Sequence, residues 1–179
     1  KGIALSTAGY YQTPLGKVKL NSYLAKSLAC DHHIPYVGYL DKAHLSEHSL
    51  EVEVPFLQTI LKKDFKLLPV VVGQVSFDEM AKFLSKVWGD KNTVIVISSD
   101  LSHYMPYNAA NVIDAQTANA IETLQPFKLQ EDCACGRIPI GGLLKIAQDK
   151  KMKVQRIDLN NSGDTAGDKE KVVGYGAWS

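Results

Sequence analysis

Four places in this 179-residue chain set reactive side chains at spacings that chemistry can use. The first is Ser98-Ser99-Asp100-Leu101-Ser102-His103-Tyr104, which directly follows the apolar run Val94-Ile95-Val96-Ile97. Ligands of open α/β sheets collect at the carboxyl ends of strands, so these residues fall where a site is expected. Asp100 and His103 are three apart, close enough for a carboxylate to orient an imidazole, and imidazole is the side chain that moves protons near neutral pH. A helix-capping Asp beside a surface His accounts for the same spacing. Position after the most apolar run favours function.

The second place is His44, Glu47 and His48. H-x-x-E-H is the inverzincin zinc pattern, in which both histidines bind metal and the Glu acts as base. The segment 43–49 reads more as a loop entering a helix, which leaves Glu47 or Ser46 as a helix-start residue and His48 lining a pocket. The third is Cys133-Ala134-Cys135-Gly136-Arg137-Ile138-Pro139. C-x-C is too short for a zinc knuckle, and no second pair completes one. A cysteine at a helix N-terminus, however, meets unpaired N–H groups and the positive end of the dipole, which suit a nucleophile or a metal ligand. Cys135 stands just before the helix expected around Pro139; a small thiol at a tight turn is the structural alternative. The fourth is the polar loop 160–168, able to hold a phosphate or simply to turn the chain between two strands. Cys30, His32 and His33 have no partners at useful spacing and read as structural.

These residues need elements to position them. Gly2-Ile3-Ala4-Leu5-Ser6 reads as a buried strand, Thr13-Pro14-Leu15-Gly16 as a turn, and 20–30 as a helix with Leu20, Leu24 and Leu28 on one face. A short strand fits 34–40. Between 50 and 61 the helical spacing of Leu50, Val54, Leu57 and Leu61 competes with strand alternation, and helix is chosen, with a start or kink near Pro55. An apolar run over 65–72 closes at Gly73, and Ser76-Phe77-Asp78-Glu79 is a capping box opening a helix through Met80, Leu84 and Val87. The β-branched run 93–97 reads as a central, covered strand. Asn108 is expected to cap a helix through about Leu124, Pro139 to sit in the first turn of a helix through about Gln148, and 154–159 and 172–178 to be the last strands. The alternation implies an α/β fold with a sheet covered on both faces, in one domain over 1–179.

Composition excludes several classes. Lys plus Arg number 20 and Asp plus Glu 19, for a net charge of +1, so nothing draws the chain to nucleic acid or an anionic membrane. The longest apolar runs fall far short of the roughly 20 residues that span a bilayer. Three cysteines, two of them separated by a single residue, make no disulfide framework and point to a cytoplasmic location. Lys1 is not an initiator Met and a strand begins at once, so the chain reads as lacking an N-terminal portion.

Several separated segments together carry a resemblance: Glu47-His48-Ser49-Leu50-Glu51, the 98–104 segment, Cys135-Gly136-Arg137 with Pro139-Ile140, and Asn161-Ser162-Gly163-Asp164 followed by Gly174-Tyr175-Gly176. In this order they resemble the Memo family, whose bacterial and archaeal members are called AmmeMemoRadiSam system protein B, and the match is collinear from Lys1 to Ser179.

The resemblance implies a three-layer α/β sandwich with a mostly parallel central sheet, similar to class III extradiol dioxygenases. It implies a pocket metal held by two histidines and a cysteine, the cysteine falling on Cys135. The histidines belong to motifs resembling P-H-A-G-Y and G-P-S-H-H, neither of which occurs here, so two of the family's three metal ligands are absent from this chain. The family's pocket Asp and His fall on Asp100 and His103, and its E-H-S motif on Glu47 and His48. On dioxygenase logic His103 is the acid/base for a substrate hydroxyl. A soft thiolate in place of a carboxylate shifts metal preference toward copper, zinc or a redox-active iron site. The expectation is therefore a metal-dependent redox enzyme, using iron or copper with zinc as a further choice, and acting on a small molecule. The alternative is a non-enzymatic protein that binds a metal ion or a peptide in the same pocket. The family name also implies a functional link to radical-SAM and Amme-type proteins.

Overall fold

The computed structural model describes residues 2–61, 64–89, 91–165 and 167–179. Lys1, where the resemblance begins, and Ala166, within the polar loop, lie outside the described residues. The chain is mixed α/β and divides into two compact units, Lys1–Val75 and Ser76–Ser179.

In the first unit the opening apolar residues form β1 (Ile3–Leu5), whose three side chains are all buried. It lies between β4 (Val37–Tyr39), which runs parallel to it, and β5 (Val70–Val72), which runs antiparallel. The expected turn at 13–16 joins β2 (Tyr10–Thr13) to β3 (Gly16–Lys19) as an antiparallel hairpin. Gly16 leaves it at φ +116°, a conformation open to residues without a Cβ. Helix α1 (Ser22–Ala29) starts where the Asn21 side chain accepts the Leu24 N–H at 3.2 Å, satisfying one of the donors a helix start leaves unpaired. A short helix, α2 (Asp41–His44), precedes the 45–53 loop, and α3 (Val54–Ile60) begins with Pro55 in its first turn. The expected start near Pro55 is thus observed, and Val54 is fully buried beside it. His44 closes α2 while Glu47 and His48 follow in the loop, so the H-x-x-E-H pattern is not built on one helix face.

The second unit opens with α4 (Phe77–Val87). Its capping box is complete: Glu79 N–H donates to Ser76 Oγ at 3.1 Å, and Ser76 N–H donates to the Glu79 carboxylate at 2.7 Å. Then come β6 (His103–Met105), α5 (Tyr107–Glu122), a 3-10 turn at Pro126–Lys128, α6 (Arg137–Asp149), β7 (Arg156–Asn161), the short α7 (Ser162–Thr165) and β8 (Val172–Trp178). β8 is the middle strand, antiparallel to both β6 and β7. Helix α6 approaches α4 so closely that a Cβ on Gly142 would lie 2.5 Å from Met80 Cγ, which explains a glycine inside a helix. Leu101, Ala120, Ile121, Leu129, Cys133, Ala134 and Leu144 form its core. Burying a side chain the size of Leu contributes about 1.5–3 kcal/mol.

Two expectations need correction, the 93–97 strand and the Asn108 cap. The 93–97 run joins no ladder among the described residues, and Val94 and Val96 are 71% and 47% exposed. β-branched residues fit a strand only where a neighbour pairs with the backbone, and here none of the described strands does. Among the described pairings β1–β4 is parallel and the other strand–strand pairings are antiparallel. Asn108 does not cap α5: the cap position is Pro106, and Asn108 sits inside the first turn.

Candidate functional site

In the second unit the structure gathers Asp100, His103 and Cys135 from two segments far apart in sequence. The 99–100 backbone and the 135–136 backbone clasp each other. Asp100 N–H donates to Cys135 Sγ at 3.2 Å, and Cys135 N–H donates to the Asp100 carbonyl at 3.3 Å. Ser99 Oγ lies 3.5 Å from the same sulfur and accepts the Gly136 N–H at 2.8 Å. That contact needs a glycine, because a Cβ on residue 136 would lie 2.6 Å from Ser99 Cβ. Gly136 is also the cap residue of α6, so the expected position of Cys135 just before a helix is observed. Cys135 is exposed, whereas Cys133 is buried, and burial pushes the Cys133 thiol up from its ordinary pKa.

His103 Nε2 stands 3.6 Å from Asp100 Oδ2, an ion-pair distance slightly beyond a hydrogen bond. Both side chains are partly open to solvent, at 35% and 49% exposure, so protons can reach them. His103 pairs with Val173 on β8, and the register then slips before Met105. At the slip Tyr104 takes φ +54°, an uncommon value for a bulky residue, and its ring meets the His103 imidazole edge-on at 6.0 Å. Bulges of this kind re-aim side chains beside functional sites.

Behind the imidazole lies a second layer that the sequence did not single out. Asp114 on α5 accepts both the backbone N–H and the hydroxyl of Ser102, each at 3.0 Å. Ser102 and Asp114 are buried, and burial raises the Asp114 carboxyl above the usual range, opposed by the Ser102 hydrogen bonds. Gly174 on β8 makes room, since a Cβ there would lie 2.6 Å from Asp114 Cγ. The Gly174 backbone also accepts from Leu101 N–H at 2.8 Å and donates to the Ser102 carbonyl at 2.9 Å. Ser102, Asp114 and Gly174 thus hold the chain that presents Asp100 and His103. Gly174, inside the Gly174-Tyr175-Gly176 segment, was the one available sequence signal.

Glu47 and His48 belong to the first unit. Glu47 accepts the Ser49 N–H at 2.9 Å, and this hydrogen bond holds its carboxyl below the usual range. His48 Nδ1 lies 3.1 Å from the Glu51 carboxylate, with side chains 79% and 62% exposed. The 160–168 loop performs its structural alternative: Asp164 accepts the Tyr107 hydroxyl at 2.6 Å and the Asn161 N–H at 3.0 Å, closing the turn from β7 toward β8.

A first-row metal centre needs several convergent donors. Among the described residues, Asp31, His32 and His33 bring three donor atoms within 4.8 Å of one another, and Asp100, His103 and Cys135 do not. The residues around Cys135 therefore do not by themselves make a metal centre. They make a sulfur held by one backbone N–H and the Ser99 hydroxyl next to a carboxylate–imidazole pair. Among the described residues, no helix is long and apolar enough to cross a membrane.

Comparison with known proteins matches the chain to a family. A model described as "Memo-like protein" matches residues 1–179. A "MEMO1 family protein" of Aquifex aeolicus is 34% identical over 187 residues, covering 98% of this chain and 68% of that protein. Proteins of the same description from Metallosphaera sedula and Sulfurisphaera tokodaii are 34% and 33% identical, covering 97% of this chain. The chain spans 64% of the length of each of these two relatives. With the family model matching from end to end and a third of positions identical, the chain belongs to the Memo family.

Proposed function

We propose that Asp100, His103 and Cys135 form part of the pocket of a metal-dependent redox enzyme that is related to class III extradiol dioxygenases and acts on a small molecule. That proposal includes the three-layer, mostly parallel architecture of those enzymes for the whole protein. One observation carries it: Asp100 ties a sulfur to an imidazole, its N–H on Cys135 and its carboxylate facing His103. Cys135 supplies one ligand to iron or copper, with zinc as a further choice, and the other ligands come from outside this cluster. The metal would supply binding of the substrate oxygens. His103, oriented by Asp100, exchanges the substrate's proton with solvent through its partly open side chain. Glu47 and His48, in the first unit, are the further residues proposed as catalytic.

A second reading is a protein that binds a metal ion or a peptide in the same pocket without turnover, supported by the exposed Cys135 sulfur and the partly open Asp100–His103 pair, which can contact a ligand without any redox step. A functional link to radical-SAM and Amme-type proteins and a cytoplasmic setting belong to either reading.

Metal content and affinity of the full-length protein, compared with Cys135→Ala, test the proposal. Stoichiometric iron or copper lost in the variant, with oxygen uptake on catechol-like compounds, is expected. Stoichiometric metal without oxygen uptake supports the binding reading. No metal in either protein overturns the redox proposal.

A further inference from the structure

The turn that follows α1 places three metal-ligating side chains together, although their sequence positions are adjacent rather than spaced. Asp31, His32 and His33 each offer a donor atom, and all three atoms lie within 4.8 Å of one another. We infer that this turn is a binding site for a first-row divalent ion of the zinc, nickel or copper type.

The turn is fixed at both ends. Asp31 N–H donates to the Leu28 carbonyl at 3.2 Å, and Ile34 N–H donates back to the Asp31 carbonyl at 3.1 Å. Ile34 is fully buried, so the loop cannot lift without exposing an apolar side chain. Asp31 Oδ1 also accepts the His33 N–H at 2.9 Å, which sets the carboxylate against the histidine backbone. The two imidazoles lie side by side, ring centroids 4.1 Å apart and tilted by 40°, on the exposed side of the turn.

Donors about 2.0–2.1 Å from a zinc ion sit roughly 3–4 Å from one another. Closing from 4.8 Å needs small rotations about χ1 and χ2, and both imidazoles are exposed and able to make them. The ligand set of two imidazoles and one carboxylate selects the ion. Calcium and magnesium prefer all-oxygen shells, whereas imidazole suits zinc, nickel and copper. The site also lies just past the α1 C-terminus, where Cys30 is the cap residue, and the carbonyl end of a helix dipole favours a cation. Three protein donors leave at least one position for water, the pattern of an open rather than a closed zinc site. Imidazole ligates in its neutral form, so acid competes with the ion.

Calorimetric titration of the full chain with Zn(II) and with Ni(II), neither of which oxidises thiols, tests the inference. A Cys30→Ser/Cys135→Ala background removes both exposed thiols. One equivalent of Zn(II) is expected to bind in that background and to perturb the ring resonances of two histidines. His32→Ala or His33→Ala should weaken it by at least the roughly 10–100-fold typical of losing even an outer-sphere partner. Asp31→Asn keeps an acceptor for the His33 N–H and should weaken binding without loosening the turn. Both histidines are exposed, so circular dichroism of these variants should match the parent. Unchanged affinity in the His32→Ala/His33→Ala double variant, or no binding of either ion by the parent, would overturn the inference.

Discussion

The pair His48–Glu51 and the clasp between Asp100 and Cys135 are built on opposite principles. His48 and Glu51 are three residues apart, both well exposed, and meet because a loop turn makes them neighbours. Asp100 and Cys135 are 35 residues apart, and their meeting depends on β6, β8 and α6 all being in place. A local pair costs little to order and contributes little; a distant one reports that the whole unit has folded. The Asp100–Cys135 clasp is of the second kind, and the chain beside it is held by the buried Ser102 and Asp114.

The sharpest way to break this contrast is Gly174→Ala. The new methyl would meet the Asp114 carboxylate that holds Ser102, and overpacking of this kind costs about 3 kcal/mol. Urea unfolding should show that loss, and a midpoint equal to wild type would mean that the Asp114 layer yields freely.

A pH series sharpens the comparison next, because the two units carry carboxyls shifted in opposite directions. Asp114 is raised by burial, so its contribution to stability is present below the ordinary aspartate range and lost as pH rises through its raised value. Glu47 is lowered by the Ser49 hydrogen bond, so its contribution is present above the ordinary glutamate range and lost as pH falls through its lowered value. Unfolding free energies at a set of pH values should therefore change slope in opposite senses in Asp114→Asn and Glu47→Gln. Parallel curves would show that neither shift is coupled to folding. The smallest effect belongs to His48→Ala. Removing an exposed partner should move stability by no more than about 0.5 kcal/mol, and a larger change in the unfolding midpoint would mean that the 45–53 loop is held by that pair.

What could be read from the sequence follows the same division. The Ser76–Glu79 capping box, the turn at 13–16, the helix start at Pro55 and the first-turn Pro139 of α6 are decided by neighbours within four residues, and each is where it was expected. The 93–97 run misled because strand identity belongs to a pair of segments, and hydrophobicity reports only one of them. Asp100, His103 and Cys135 were visible as candidates by type and position, but their contacts were not, since nothing local says that residue 135 returns to residue 100. Asp114 was invisible: an aspartate in the middle of a helix looks like a solvated face. The Asp31-His32-His33 turn is hidden for the reverse reason. Helical and knuckle spacings do not describe it, because a turn locked by buried Ile34 brings consecutive side chains together.

The N–H···S contact at Cys135 has a further meaning in the time domain. The donor is a main-chain amide, so the sulfur's covalent state is written into the exchange rate of one identifiable proton, that of Asp100. Alkylation, oxidation or capture of the sulfur by an ion changes what that amide donates to, in the same residue whose carboxylate faces the imidazole. A thiol event becomes a backbone signal one residue wide, so the state of the sulfur can be followed without any reporter group attached to it.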